Sequence, residues 1–159
     1  MRTVNTRGIS VSVFSNIREK NIVDYGQKFE EWAPRILVDQ YSDRTHFIFE
    51  LLQNAEDAEA TEIEIKLSHD RLILEHNGRI FNEGDVQGIC GVSASTKREA
   101  NNRIGRFGIG FKSVYAYTET PLIISGDYAF KIKNIIMPYE MGEHAYSEKT
   151  IIELPFDLE

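Results

Sequence analysis

The sequence has a single cysteine, Cys90, so no disulfide can form within the chain, and a reducing compartment suits it. A lone cysteine is more often a small apolar residue than a nucleophile. No apolar run approaches the roughly 20 residues that cross a bilayer. The opening Met1-Arg-Thr-Val-Asn-Thr-Arg-Gly8 is followed by no apolar core of a signal peptide. Positive charge is also scarce. The 18 Lys and Arg against 25 Asp and Glu leave a net −7, which makes a poor platform for a nucleic acid. Internal repeats and low-complexity tracts are missing as well. What remains is the expectation of a cytoplasmic chain with no membrane partner. Its 159 residues are the size of one domain with a sizeable core.

The stretch that organises the rest is Glu50-Leu-Leu-Gln-Asn54-Ala-Glu-Asp57-Ala58. Glu50, Asn54 and Asp57 stand at i, i+4 and i+7, one face of a helix. Phe47, Ile48, Leu51, Leu52, Ala55 and Ala58 would dock the other face on a core. A carboxylate can serve as general base, and a carboxamide oxygen is a hard, neutral ligand suited to magnesium. The same pattern also describes a solvated polar face. The difference depends on whether the chain supplies a nucleotide site beside it.

Taken in order, residues 1–23 form an uncertain extension. Ile9, Val11 and Val13 alternate there as in a short strand, an edge or partner-exchanged one. The pattern turns helical from Asp24 to Trp32. Pro34 suits the first turn of another short helix, over 35–40. Ser42 or Asp43 then caps the helix carrying Glu50, which should end near Ala60. Thr61 to Leu67 alternates Ile63, Ile65 and Leu67 against Glu62, Glu64 and Lys66, a half-buried strand. Ser68-His69-Asp70 turns the chain into an antiparallel partner over 71–75. His76-Asn77-Gly78 breaks it. Asn82 caps a short helix to Gly88. Residues 91–105 are a polar loop of functional length. A helix follows over 107–118, then a hairpin of 122–125 with 128–132 turning at Gly126-Asp127, and a last strand over 150–154. This order predicts an α+β fold, a mostly antiparallel sheet with helices on one face. Trp32, Tyr115 and Tyr117 read as core. His46, His69 and His144 show no metal-ligand spacing.

A second chemical feature is Gly105-Arg106-Phe107-Gly108-Ile109-Gly110-Phe111 before a helix. Glycines let backbone approach a ligand, and a helix start offers free N–H groups to phosphates. The order G-x-x-G-x-G after a polar loop is not a dinucleotide fingerprint. With Phe111 before Lys112 it is not a Walker loop either. A glycine-rich turn that merely lets helix and sheet pack would look the same.

Both stretches together resemble the gyrase, heat-shock chaperone, histidine kinase and MutL superfamily of ATPases, which share the Bergerat nucleotide fold, a two-layer sandwich. Gly91-Val-Ser-Ala-Ser-Thr-Lys97 resembles the lid of that fold. The wording of the motifs is most similar to the sacsin-like, heat-shock-chaperone-like group. The resemblance covers roughly residues 40–155. It implies ATP or ADP and magnesium as ligands, with Glu50 as the base that activates water and Asn54 as the magnesium ligand. It implies that Asp57 supports the polar network. The phosphates would lie on Gly105, Arg106, Phe107, Gly108, Ile109, Gly110 and Phe111, with Lys97 reaching them on lid closure. Thr150 would help hold adenine, although Lys149 stands where the family has a glycine. The family's D-x-G-x-G is here His76-Asn77-Gly78-Arg79-Ile80, with His76 in the aspartate's place. Either His76 accepts from the adenine amino group, or Asn77, Asp85 or a backbone carbonyl does. The resemblance further implies a single domain over 1–159, part of a longer protein. ATP-driven lid closure or homodimerisation would control downstream domains, and the isolated domain would turn over slowly. A non-hydrolysing nucleotide sensor and a histidine-kinase-type phosphotransferase are the alternatives.

Overall fold

The computed structural model describes residues 9–26, 45–91 and 110–157. Among the described residues six strands form one antiparallel sheet in the order β1-β2-β6-β3-β4-β5. They are β1 (Ile63–Leu67), β2 (Arg71–His76), β3 (Leu122–Gly126), β4 (Tyr128–Lys133), β5 (Met137–Glu140) and β6 (Ser147–Pro155). The helices are α1 (Ile9–Tyr25), α2 (His46–Asp57), α3 (Glu83–Ile89) and a short 3₁₀ turn, Lys112–Ala116. One core cluster joins Phe14 and Ile17 of α1, Leu51 of α2 and Val86 of α3 to Leu74, Ile123, Phe130 and Ile152 of the sheet. This is the expected α+β architecture, a two-layer α/β sandwich.

Several expectations need correction. The alternation of Ile9, Val11 and Val13 is not a strand but the first turns of α1. The helical spacing of Val13, Phe14, Ile17 and Asn21, all buried, wins over a five-residue alternation. Phe14 fixes the docking, its ring 5.0 Å from Phe130 and 6.2 Å from Tyr128. Farther along the helix, Arg18 donates to Pro138 O at 2.7 Å and lies over the Tyr139 ring.

Helix α2 begins at His46, after a Thr45 that makes no side-chain cap bond; Ser42 and Asp43 lie outside the described residues. It stops at Asp57, not Ala60, because Glu59 takes a left-handed φ of 60°. Strand β1 is exposed at every residue rather than half-buried. Its register sets Ile63, Ile65 and Leu67 opposite His76, Leu74 and Leu72, the core-side row. But β1 is an edge strand, and the described helices do not extend over it.

The other edge, β5, was not expected. Its Pro138 argues against a strand in sequence but is tolerated at a sheet edge. Strand β6 runs longer than 150–154 because it is paired on both sides, by β2 and β3. The expected helix over 107–118 is, where described, only Gly110–Phe111 and the 3₁₀ turn. There Ser113 Oγ donates to Gly110 O, and Tyr117 N and Thr118 N both donate to Val114 O, which ends the turn early. Trp32 and the helices proposed over 27–40 lie outside the described residues. Tyr115 and Tyr117 pack against the core as expected, and Cys90 is buried.

Lys112 is 3% exposed. Its ammonium donates to Ile89 O at 2.5 Å and Ile135 O at 3.3 Å, tying the end of α3 to the β4–β5 turn. Asn21 does the same from α1, donating to Cys90 O and Ile136 O. Burial lowers the Lys112 pKa from its ordinary 10.5 to about 8. Between those values the unfolded chain holds the extra proton, so stability rises with pH from about 8. Cys90 opposes this: burial raises its thiol from 9.0 to about 12, so the unfolded chain loses a proton first and stability falls above pH 9. Urea midpoints should therefore increase between about pH 8 and 9, and Lys112→Met should abolish the increase. An equal increase in the variant would contradict the assignment.

Candidate functional site

The proposed catalytic helix brings its polar face against the end of the glycine motif. Glu50 lies over Gly110 so closely that a Cβ there would overlap Glu50 Oε2 and stand 2.8 Å from its Cδ. His46, one turn earlier, makes a 2.8 Å contact from Nε2 to Glu50 Oε1. This His–Glu pair was not anticipated, although the i, i+4 spacing from His46 to Glu50 was available to find it. Beyond Glu50, Asn54 is 4% exposed, and its Nδ2 is the one sealed side-chain atom among the described residues without a hydrogen-bond partner. An unpaired buried amide costs free energy unless something else meets it. Asp57 does not join this group. It is exposed and accepts from Gln53 Nε2 at 3.2 Å.

The turn after β2 closes on the other end of α2. Arg79 N donates to Ala58 O at 2.7 Å, and a Cβ on Gly78 would stand 2.6 Å from that carbonyl and 3.0 Å from Ala60 N. Only a glycine lets these backbones meet. Asn77 Oδ1 accepts from Thr61 N and Glu62 N, and its Nδ2 donates to Thr61 Oγ1. Asn77 thus pins the turn to the start of the β1 hairpin. Asn82 and Asp85 form a reciprocal capping box at the start of α3. Asp85 also takes both arms of the Arg79 guanidinium, at 2.7 and 3.2 Å.

His76 is buried, 4% exposed, and burial lowers its pKa, so the ring stays neutral. Its Nδ1 accepts from Gly78 N at 3.1 Å. Strand register places it beside Thr150, and Thr150 beside Ser125. The Thr150 and Ser125 hydroxyls are 2.7 Å apart, and Ser125 Oγ also accepts from Phe81 N. A polar row of His76, Thr150 and Ser125 therefore crosses three strands in an otherwise apolar surface. Ser125 was not anticipated, because only the register of β3 on β6 reveals it. Phe111 buries its ring in the core, edge-on to Tyr115. Lys97, Gly105, Arg106, Phe107, Gly108 and Ile109 lie outside the described residues.

Four matches to known proteins bear on what this arrangement is. The chain is 28% identical to Sacsin of Homo sapiens over 82% of its own length, and 32% identical to Protein NO VEIN of Arabidopsis thaliana over 75%. It spans only 3% and 4% of those proteins. It is also 21% identical to Chaperone protein HtpG of Wigglesworthia glossinidia brevipalpis, over 86% of this chain and 27% of that one. A family model, Sacsin domain, matches residues 65–151, a span that takes in His76, Gly78, Gly110 and Thr150 and begins after Glu50 and Asn54. That match covers more than half of the chain, which therefore belongs to the Sacsin domain family.

Proposed function

We propose that this chain is a magnesium-dependent nucleoside triphosphatase domain of the Bergerat type, belonging to the gyrase, heat-shock chaperone, histidine kinase and MutL superfamily. ATP is the nucleotide that the resemblance implies. The observation that carries the reading is the Glu50 carboxylate, held by His46 on one oxygen and pressed against Gly110 of the glycine motif on the other. A base aimed at a phosphate-binding loop is what hydrolysis of an anhydride by water requires.

In this reading His46 fixes Glu50 Oε1 and leaves Oε2 to take the proton of the attacking water. Asn54, one turn beyond Glu50 on α2, fits a ligand role through its amide oxygen, which would hold magnesium. Magnesium, when bound, neutralises charge on the triphosphate oxygens. Gly105 to Phe111 would cradle the phosphates and Lys97 would approach on lid closure, by resemblance. His76, Gly78 and Thr150 would meet the base. Asp57 and Asn77 would act indirectly, by shaping α2 and the turn. The similarity to HtpG, a chaperone by name, favours an ATPase that works a larger protein by lid closure or dimerisation. The small share of Sacsin and NO VEIN that the chain spans supports placement within a longer protein.

Replacing Glu50 with Ala tests the proposal. ATP binding measured by calorimetry should stay within a few-fold of the parent, while magnesium-dependent turnover should fall by roughly 100- to 10,000-fold. Unchanged turnover would remove Glu50 as base. Binding without turnover in the parent itself would leave a nucleotide sensor.

A further inference from the structure

The base-reading position of this site carries a donor where an acceptor was expected. Three side chains were candidates to accept from an adenine amino group, and all three are already engaged. Asn77 Oδ1 spends both lone pairs on Thr61 N and Glu62 N. Both Asp85 oxygens are held by Arg79, and Oδ2 also takes Asn82 N. His76 Nδ1 takes Gly78 N. A backbone N–H can only donate, so Nδ1 is the unprotonated nitrogen of a neutral ring and the hydrogen sits on Nε2. Among the described residues Nε2 has no hydrogen-bond partner, and it is not among the sealed atoms.

We propose that His76 reads the base as a hydrogen-bond donor through Nε2–H. The nucleotide would then be a purine offering an acceptor there, adenine N1 or a 6-oxo oxygen, and its 6-amino group would go unrecognised by this residue. The proposal rests on the nucleotide site proposed above. It also accounts for the motif change in physical terms. An aspartate at this position can accept from Gly78 N with one oxygen and offer the other to the ligand, whereas the imidazole accepts with Nδ1 and offers a hydrogen. The turn is the same and the polarity toward the ligand is inverted.

Calorimetric titration with magnesium and ATP, purine riboside triphosphate (adenine's ring without the amino group) or inosine triphosphate tests this. Purine riboside triphosphate should bind within about three-fold of ATP, because no hydrogen bond to the amino group is lost. A larger loss for the analogue without the amino group overturns the proposal. Tighter inosine triphosphate than ATP identifies the 6-oxo oxygen as the acceptor; equal ATP and purine riboside triphosphate, with weaker inosine triphosphate, identifies N1. His76→Asp should gain about a ten-fold preference for ATP over the analogue without the amino group. A variant that melts like the parent and shows no such preference also overturns it. If the variant does not fold, the comparison in the parent chain decides. If no nucleotide binds, the triphosphate site fails and the base reading falls with it; if nucleotides bind but require the amino group, only the base reading falls.

Discussion

Gly110→Ala should keep its fold and lose about 100-fold in turnover. The added methyl would occupy the place of Glu50 Oε2, with Glu50 Cδ at 2.8 Å and Cγ at 3.4 Å as the other near atoms. All three belong to the far end of a flexible side chain, half-exposed at the surface of α2. Glu50 can swing aside without moving backbone, so the cost in stability should be within about 1 kcal/mol. Moving the carboxylate separates it from His46 and from the backbone at Gly110 together. A misplacement of about 1 Å in a catalytic group is enough for a 100-fold loss. Under the proposed function, in which affinity does not depend on the base, nucleotide affinity should change by only a few-fold. The measurement is turnover against binding in the same preparation. Parent turnover in this variant would show that Glu50 is not used where the structure places it.

Gly78→Ala should have the opposite profile, with a large loss of stability. Here the added Cβ meets Ala58 O at 2.6 Å, Ala58 Cβ at 3.0 Å and Ala60 N at 3.0 Å. These are backbone atoms and a Cβ at the end of α2, fixed by the turn through Glu59 and by the bond from Arg79 N to Ala58 O. No rotamer relieves the overlap, so the β2 turn must move off the helix. Overpacking of this kind costs about 2–3 kcal/mol, which for a domain of this size lowers the melting temperature by roughly 5–10 °C. Because His76 Nδ1 takes its hydrogen bond from Gly78 N, the His76 ring should lose its orientation too. Scanning calorimetry and urea denaturation both read this. A melting temperature equal to the parent's would mean that the turn and helix do not meet as described.

The two profiles separate what the sequence conveys from what it hides. The polar face of α2 was legible because helical spacing alone aligns Glu50 with Asn54. The β1–β2 hairpin, the β3–β4 hairpin and the cap at Asn82 were legible because alternation and turn chemistry are local. The misreadings came where tertiary contact decides. Ile9 to Val13 alternates, yet Phe14 docking on Phe130 makes it helix. Met137–Glu140 is a strand because the sheet edge accepts its proline. Ile63, Ile65 and Leu67 have the pattern of a buried face, but burial depends on what packs above, which alternation does not encode. The site divides in the same way. Residue identity offered His76 as a possible acceptor; a backbone N–H two residues away turns it into a donor.

The strand order has a further consequence, for how the chain is made. The centre of the sheet is filled by β6, the last strand in sequence, between β2 and β3. Until residues 147–155 leave the ribosome, the early hairpin and the later meander are two separate pieces, each with an open edge and half a core. Nearly all the pairing that unites them spans long sequence separation, which makes closure slow and late. A newly synthesised chain paused upstream of Ser147 would therefore leave the β2 and β3 edges unpaired, the condition in which chains join one another instead of themselves.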